Sequence, residues 1–372
     1  MKPGRPSQTR ILVLAPSLKS IGGVQNYTKV LLDALADVVG KGNVRCVAIP
    51  EDPAPRNGEP PALGISTKLH FAASALAATV SWRPNLVICA HIGVAPLGRA
   101  IQRLTGIPYW IVLYGIEVWG DLSAAKRSAL KRAARLVAIT QFTLDVTVGR
   151  HALGHPSAII LPPTLPRQSP PPAEPTDGVP KGTPRIVLTV GRIAASERYK
   201  GHEIMLRAWP SVLRRLPGAE YWIVGDGDDR QRLEALSREL GVAGATRFLG
   251  SVSPEKLAVC YHRCCVFAMP ARTELDGAVP RGEGFGIVFL EAMAAGKPVV
   301  GPRMGAPAEF IRSGEHGLLV DPSSAAEVAD ALVELLDDPA RAGKMGAAAK
   351  EWVTREFTFE RFCDRLRRAL AP

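Results

Sequence analysis

Short unbroken apolar runs alternate along this chain with longer stretches whose apolar residues return every three or four positions. In the first half, RILVLAPS, NVRCVAIP, NLVICAH, PYWIVLYG and RLVAIT are rich in Val, Ile and Leu, and each predicts a buried strand. PRIVLTVGR, AEYWIVGDG, TRFLGSV, CCVFAMP, KPVVGP and HGLLVDP do the same in the second half. Between them, VQNYTKVLLDALADVV, DRQRLEALSREL, PEKLAVCYHR and AAEVADALVELLDD carry helical periodicity. Strands alternating with helices predict an α/β protein with parallel sheets covered on both faces. A Pro-dense segment at 162–184, PPTLPRQSPPPAEPTDGVPKGTP, can form neither a helix interior nor a central strand, and it separates two similar halves. The expected organisation is one Rossmann-like domain at 1–165, a linker at 166–183, a second such domain at 184–345 and a C-terminal amphipathic helical stretch at 346–372.

Composition narrows the setting. The 372 residues are 47% hydrophobic, enough for two cores. No apolar run approaches the roughly 20 residues of a membrane-spanning helix. The polar start MKPGRPSQTR has no apolar stretch behind it long enough for a signal peptide, so a cytoplasmic protein is expected. Cys46, Cys89, Cys260, Cys264, Cys265 and Cys363 show no C-x-x-C spacing, which argues for reduced core thiols and against a zinc site. The net charge of +11 is uneven: residues 1–180 hold 19 Lys and Arg against 10 Asp and Glu, whereas residues 181–372 hold 27 against 25. Part of the excess lies in AKRSALKRAARL, where Lys126, Arg127, Lys131, Arg132 and Arg135 alternate with Ala and Leu. That spacing predicts a basic amphipathic helix, either a solvated surface helix or one facing an anionic membrane. A nucleic-acid partner is disfavoured, because aromatics are only 6% and no known binding module is present.

The chemistry concentrates in RGEGFGIVFLEAMAAGKPVV, residues 281–300. Its glycines delay helix formation to about Gly286, and Gly296 with Pro298 end the helix. Glu283 therefore enters the helix and Glu291 lies within it. The free amides around Phe285, Gly286, Ile287 and Val288 suit phosphate or sugar oxygens. Two carboxylates beside an anion site would repel a phosphate unless they accept hydrogen bonds from sugar hydroxyls. One acid holding a sugar and the other a ribose, with the diphosphate between, satisfies all three features.

This block resembles the E-x7-E motif of retaining glycosyltransferases of the GT-B fold, in the large GT4-type family with mannosyltransferase-like members. The resemblance implies two Rossmann-like domains facing across a cleft, with the last helix crossing back to the first domain. It implies that Glu283 contacts the donor sugar at the reaction centre and that Glu291 holds the ribose. TVGRIAASERYKGHEIMLRAW resembles the family's G-R…K-G segment and places Arg192 and Lys200 on the diphosphate. Two fixed cations stabilise a departing diphosphate without a divalent metal, so neither cofactor nor metal is expected. SLKSIGGVQNYTKVLLDAL resembles the N-terminal glycine loop, with Gly22 and Gly23 approaching the ligand. Gly225 and Asp226, in VGDGDDRQRLEAL, resemble the segment flanking the base.

His91 and Glu117 stand at strand ends, where α/β proteins bind ligands, and are candidates for acceptor or sugar contact. Tyr114 occupies a position where many relatives carry a histidine that contacts the sugar, and its phenol is the expected substitute. The resemblance further implies GDP-mannose as donor, with a UDP-hexose as the alternative, and front-face displacement under domain closure. The basic first half adds an expected glycan or lipid-linked acceptor and peripheral association with the inner membrane face. A UDP-amino-sugar epimerase of the same fold is a rival, but it needs acid–base groups on both sugar faces, which this block does not supply.

Overall fold

The computed structural model describes residues 9–18, 22–50, 65–154, 156–165, 185–276 and 280–371. The Pro-dense linker expected at 166–183 lies outside the described residues. Contacts divide the chain into two units, residues 1–164 with 359–372, and residues 165–358.

The first unit contains β1 (Ile11–Ala15), α1 (Gly23–Val39), β2 (Val44–Ala48), α2 (Ile65–Trp82), β3 (Leu86–Cys89), α3 (Ala95–Thr105) and β4 (Tyr109–Leu113). It continues through α4 (Ile116–Trp119), α5 (Ala124–Arg132), β5 (Arg135–Ala138), α6 (Gln141–His151) and β6 (Ala158–Ile160). The second holds β7 (Ile186–Val190), α7 (His202–Arg215), β8 (Glu220–Val224), α8 (Arg230–Glu239), β9 (Thr246–Gly250), α9 (Pro254–Arg263) and β10 (Val266–Ala268). α10 (Ile287–Ala294), β11 (Val299–Pro302), β12 (Gly317–Val320), α11 (Ala325–Asp337) and α12 (Pro339–Glu356) complete it, and α13 (Phe359–Leu370) belongs to the first unit.

Each unit carries a six-stranded sheet, ordered β2-β1-β3-β4-β5-β6 and β12-β11-β10-β7-β8-β9, and every pairing between these strands is parallel. The central strands β1, β3, β4 and β7 are buried at every residue, as unbroken apolar runs require between two helical layers. β2 lies at an edge and is partly exposed. Strand order reverses between β1 and β3 in one sheet and between β7 and β10 in the other. Loops leaving adjacent strands in opposite directions open a crevice at such a point.

Two expectations change. The basic helix stops at Arg132, and Arg135 belongs to β5. There its guanidinium lies 5.0 Å over the Trp110 ring and hydrogen-bonds Ala369 O, so it is a structural cation rather than part of a surface array. The C-terminal stretch is two helices, broken at Phe357–Thr358. Phe357 and Phe359 are both buried, and residues two apart point to opposite sides of a helix, so one continuous helix could not bury both on one face.

Candidate active site

The switch point of the second sheet brings together the loops after β7 and β10. Arg192 and Lys200 lie on the first and Glu283 on the second. Lys200 ends a 3-10 turn, and Gly201 follows it at φ 87°. A Cβ at Gly201 would stand 2.4 Å from Pro270 O, so the bare glycine lets the Lys200 loop press against the exit of β10. Lys200 Nζ then lies 3.9 Å from Glu283 Oε2 and 3.3 Å from Glu197 Oε2. Arg192 pairs with the other oxygen of Glu197. The lysine and both acids are largely buried, whereas the Arg192 side chain is 76% exposed.

The loop carrying Glu283 is pinned by a two-way backbone pairing of Glu274 with Arg281, at 2.8 and 2.9 Å. Gly286 caps α10 at φ 88°, where a Cβ would meet the Phe289 ring at 2.8 Å. Phe285 is buried and stacks on Phe310 with centroids 4.8 Å apart, so it offers a ligand its backbone only. Ile287 and Val288 form the first turn of α10. Burial pushes the Glu283 carboxyl above the usual range; Lys200 and Arg192 act against that and Glu197 adds to it. Glu291, one turn further along α10, accepts a 2.8 Å hydrogen bond from the Tyr261 hydroxyl. Its carboxyl is also raised by burial, with Tyr261 opposing.

The loop after β8 joins this group. Ile193 N donates to Asp226 O at 2.9 Å, and Gly225 N donates to Gly250 O at 2.9 Å. The Asp226 carboxylate accepts from Gly227 N at 2.9 Å and stands 3.7 Å from Arg230. Arg198 donates two hydrogen bonds to Asp229 at 3.0 and 2.6 Å, tying the Arg192–Lys200 loop to the start of α8. His202 is buried, its pKa lowered to about 4 by burial, and its Nε2 lies 3.4 Å from Arg192 O. A neutral imidazole there braces the loop without adding charge.

In the first unit, Gly22 and Gly23 follow β1, His91 follows β3, and Tyr114 and Glu117 follow β4. Gly22 is extended, a backbone any residue adopts, and a Cβ at Gly23 would meet nothing within 4 Å. A Cβ at Gly22 would stand 2.6 Å from Gln25 Oε1, the end of a flexible side chain that can move aside, so the fold itself requires glycine at neither position. His91 Nδ1 accepts from Gly93 N at 3.0 Å, and burial holds its pKa near 4, so the neutral ring carries its proton on Nε2. The rings of His91 and Tyr114 are 6.2 Å apart. The Tyr114 phenol is buried and donates to Ala90 O at 3.0 Å, with Thr28 Oγ1 at 3.4 Å, which leaves it only acceptor capacity. Glu117 accepts from Tyr114 N at 2.6 Å and is raised by burial against three backbone donors and Lys126.

Sequence reasoning missed four participants. Glu197 pairs with both cations, Tyr261 orients Glu291, His202 braces the Arg192 loop, and Lys126 lies near both His91 and Glu117. Lys126 was legible only as one more charge on a basic helix.

Comparison with known proteins places the chain among glycosyltransferases. The family described as Glycosyl transferases group 1 matches residues 173–352. A "GDP-mannose-dependent alpha-(1-6)-phosphatidylinositol monomannoside mannosyltransferase" of Mycobacterium tuberculosis is 36% identical over 68% of this chain and 66% of its own length. The protein of the same name from Mycolicibacterium smegmatis is 33% identical over 70% of this chain and 69% of its own. The matched stretch thus spans about two thirds of these relatives. Sucrose-phosphate synthase from Thermosynechococcus elongatus covers 97% of the chain and 98% of its own with a TM-score of 0.76; at 21% identity the likeness is one of fold.

Proposed function

The chain belongs to the glycosyl transferases group 1 family, and on that premise we propose a retaining mannosyltransferase that moves the hexosyl group of GDP-mannose to a lipid-linked sugar. The observation that carries this reading is Lys200 standing 3.9 Å from Glu283 while sharing Glu197 with Arg192. A carboxylate beside two cations at a helix start fits a sugar joined to a diphosphate and fits few other ligands. The names of the mycobacterial relatives support mannose and a phosphatidylinositol-linked acceptor.

In this reading Arg192 and Lys200 take up the charge that develops on the departing GDP, with the amides before α10 aimed at the same oxygens. The two cations do the work a divalent metal does elsewhere, and none is required. Glu197 competes for both cations, so an arriving diphosphate displaces its carboxylate. Glu283 accepts hydrogen bonds from donor-sugar hydroxyls, and Glu291, fixed by Tyr261, accepts them from the ribose. The acceptor hydroxyl attacks the face the diphosphate leaves and passes its proton to a departing phosphate oxygen, which retains configuration. Asp226 and Gly225 flank the base. Gly22, Gly23, His91, Tyr114 and Glu117 serve the acceptor and sugar, His91 as a neutral Nε2–H donor and Tyr114 as an acceptor. Peripheral association with an anionic membrane follows from a lipid acceptor and a basic first unit.

Incubation with GDP-mannose, UDP-glucose and phosphatidylinositol mannoside tests this. The expected result is an α-mannoside formed from GDP-mannose alone, with GDP raising the melting temperature more than UDP or ADP. A β-linked product overturns retention, and transfer from UDP-glucose alone overturns the donor.

A further inference from the structure

Between α3 and α5 the first unit carries a cavity of about 460 Å³ that the transfer reaction leaves unused. Arg99, Arg103 and Leu104 line it from α3, and Ala125 and Ser128 from α5. Arg99 and Arg103 are one helical turn apart and share a face. Both, together with Arg132 at the end of α5, lie within electrostatic reach of Tyr109, whose hydroxyl already donates to Ala129 O at 2.6 Å. Among the described residues, none of these three arginines pairs with a carboxylate. Arg198, Arg207, Arg215, Arg230, Arg232 and Arg247 in the second unit all do. Arg99 donates to Gln102 at 2.6 Å, and its Nε is buried without a partner. Leu104, at the rim, is 73% exposed.

Like charges gathered without counter-charge destabilise a fold unless something outside it neutralises them. Guanidinium forks match phosphate oxygens, and an exposed leucine beside them adds an apolar contact. The geometry points to a site for the phosphate of an anionic phospholipid headgroup, held between Arg99 and Arg103 with Leu104 against the acyl region. This deepens the reading of a lipid-linked acceptor and rests on it for the lipid, while the phosphate rests on the arginines alone.

The test compares full-length wild type with an Arg99→Lys/Arg103→Lys double variant, which keeps net charge and removes the forks, and with Arg127→Lys as a control outside the cavity. Flotation with phosphatidylcholine vesicles containing phosphatidylinositol is the readout. The double variant is expected to bind about fivefold more weakly, the loss of the bidentate hydrogen bonds that an ammonium cannot make, and the control to match wild type. Equal binding by the double variant reduces the effect to diffuse charge and overturns the site. Inorganic phosphate is expected to weaken wild-type vesicle binding more than chloride at matched ionic strength; no difference also overturns it. Glycerol phosphate binding as tightly as vesicles assigns the cavity to a soluble phosphate and overturns the lipid. Stabilisation by GDP, measured on the same samples, checks folding and reports on the donor site separately. Its loss in wild type would sink the mannosyltransferase reading and leave the vesicle comparison standing.

Discussion

The two oxygens of Glu197 hold Arg192 and Lys200 at once, so in the proposed reaction Glu197 sets what an incoming diphosphate meets. Removing a cation that stabilises the leaving group costs transition-state charge, so Lys200→Ala is expected to lower kcat/KM by about 100-fold or more in a mannosyl-transfer assay. Glu283→Ala is expected to fall in the same range, and unchanged rates in both variants would remove the site assignment. Tyr261 acts through Glu291, so Tyr261→Phe is expected to raise the KM for donor by about fivefold with kcat nearly unchanged, the worth of one hydrogen bond. An equal fall in kcat would place Tyr261 elsewhere in the reaction. The placement of Glu283, Glu291, Arg192 and Lys200 around strand–loop–helix joins was legible in residue type and spacing, while the roles proposed for them lean on a family resemblance. Glu197 and Tyr261 were not, since each acts on another side chain and only the fold says which one.

Loops and helix ends hold these residues in place. Asp229, 4% exposed, sits at the start of α8 and binds Arg232 and Arg198. The Arg232 hydrogen bonds, then those from Arg198, lower its carboxyl from 3.8 to about 2 against the opposing effect of burial. A depressed folded pKa stabilises above the unfolded value and is lost as pH falls through the folded one. Wild type should therefore exceed Asp229→Asn by about 2 kcal/mol in urea melts near neutrality, and the gap should close between pH 4 and pH 2. A gap independent of pH would contradict the pairing. Glycine substitutions separate fold from ligand. Gly201→Ala meets Pro270 O at positive φ and should cost about 2 kcal/mol or more. Gly23→Ala meets nothing and should leave the melting temperature unchanged while weakening substrate binding. Eleven of the strands were legible as apolar runs, whereas β6, with every residue only half-buried at a sheet edge, carried too little pattern. α2 escaped because apolar residues lie all round it, with Ile65, Leu69 and Val80 exposed, so its periodicity is faint.

The two-part organisation was legible from the Pro-dense divide and the repeated strand–helix alternation. That α13 belongs to the first unit was implied by resemblance alone, because an amphipathic pattern says which face is buried and not against what. Phe362, 1% exposed, packs edge-on against Tyr27 of α1, whose hydroxyl donates to Leu161 O at 2.8 Å. Phe362→Ala should therefore destabilise the first unit by about 3–5 kcal/mol. Hydrogen exchange would show the loss in α1 and β1 while β7 and β8 keep their protection; uniform loss in both sheets would contradict it. The order of synthesis gives this arrangement a further consequence. Residues 165–358 emerge from the ribosome between the two pieces of the first unit. At about 5–20 residues per second, roughly 16 to 64 s separate the end of α1 from the start of the helix that covers it. The half made first is the half finished last, and through that interval its uncovered apolar flank is the surface a chaperone would find.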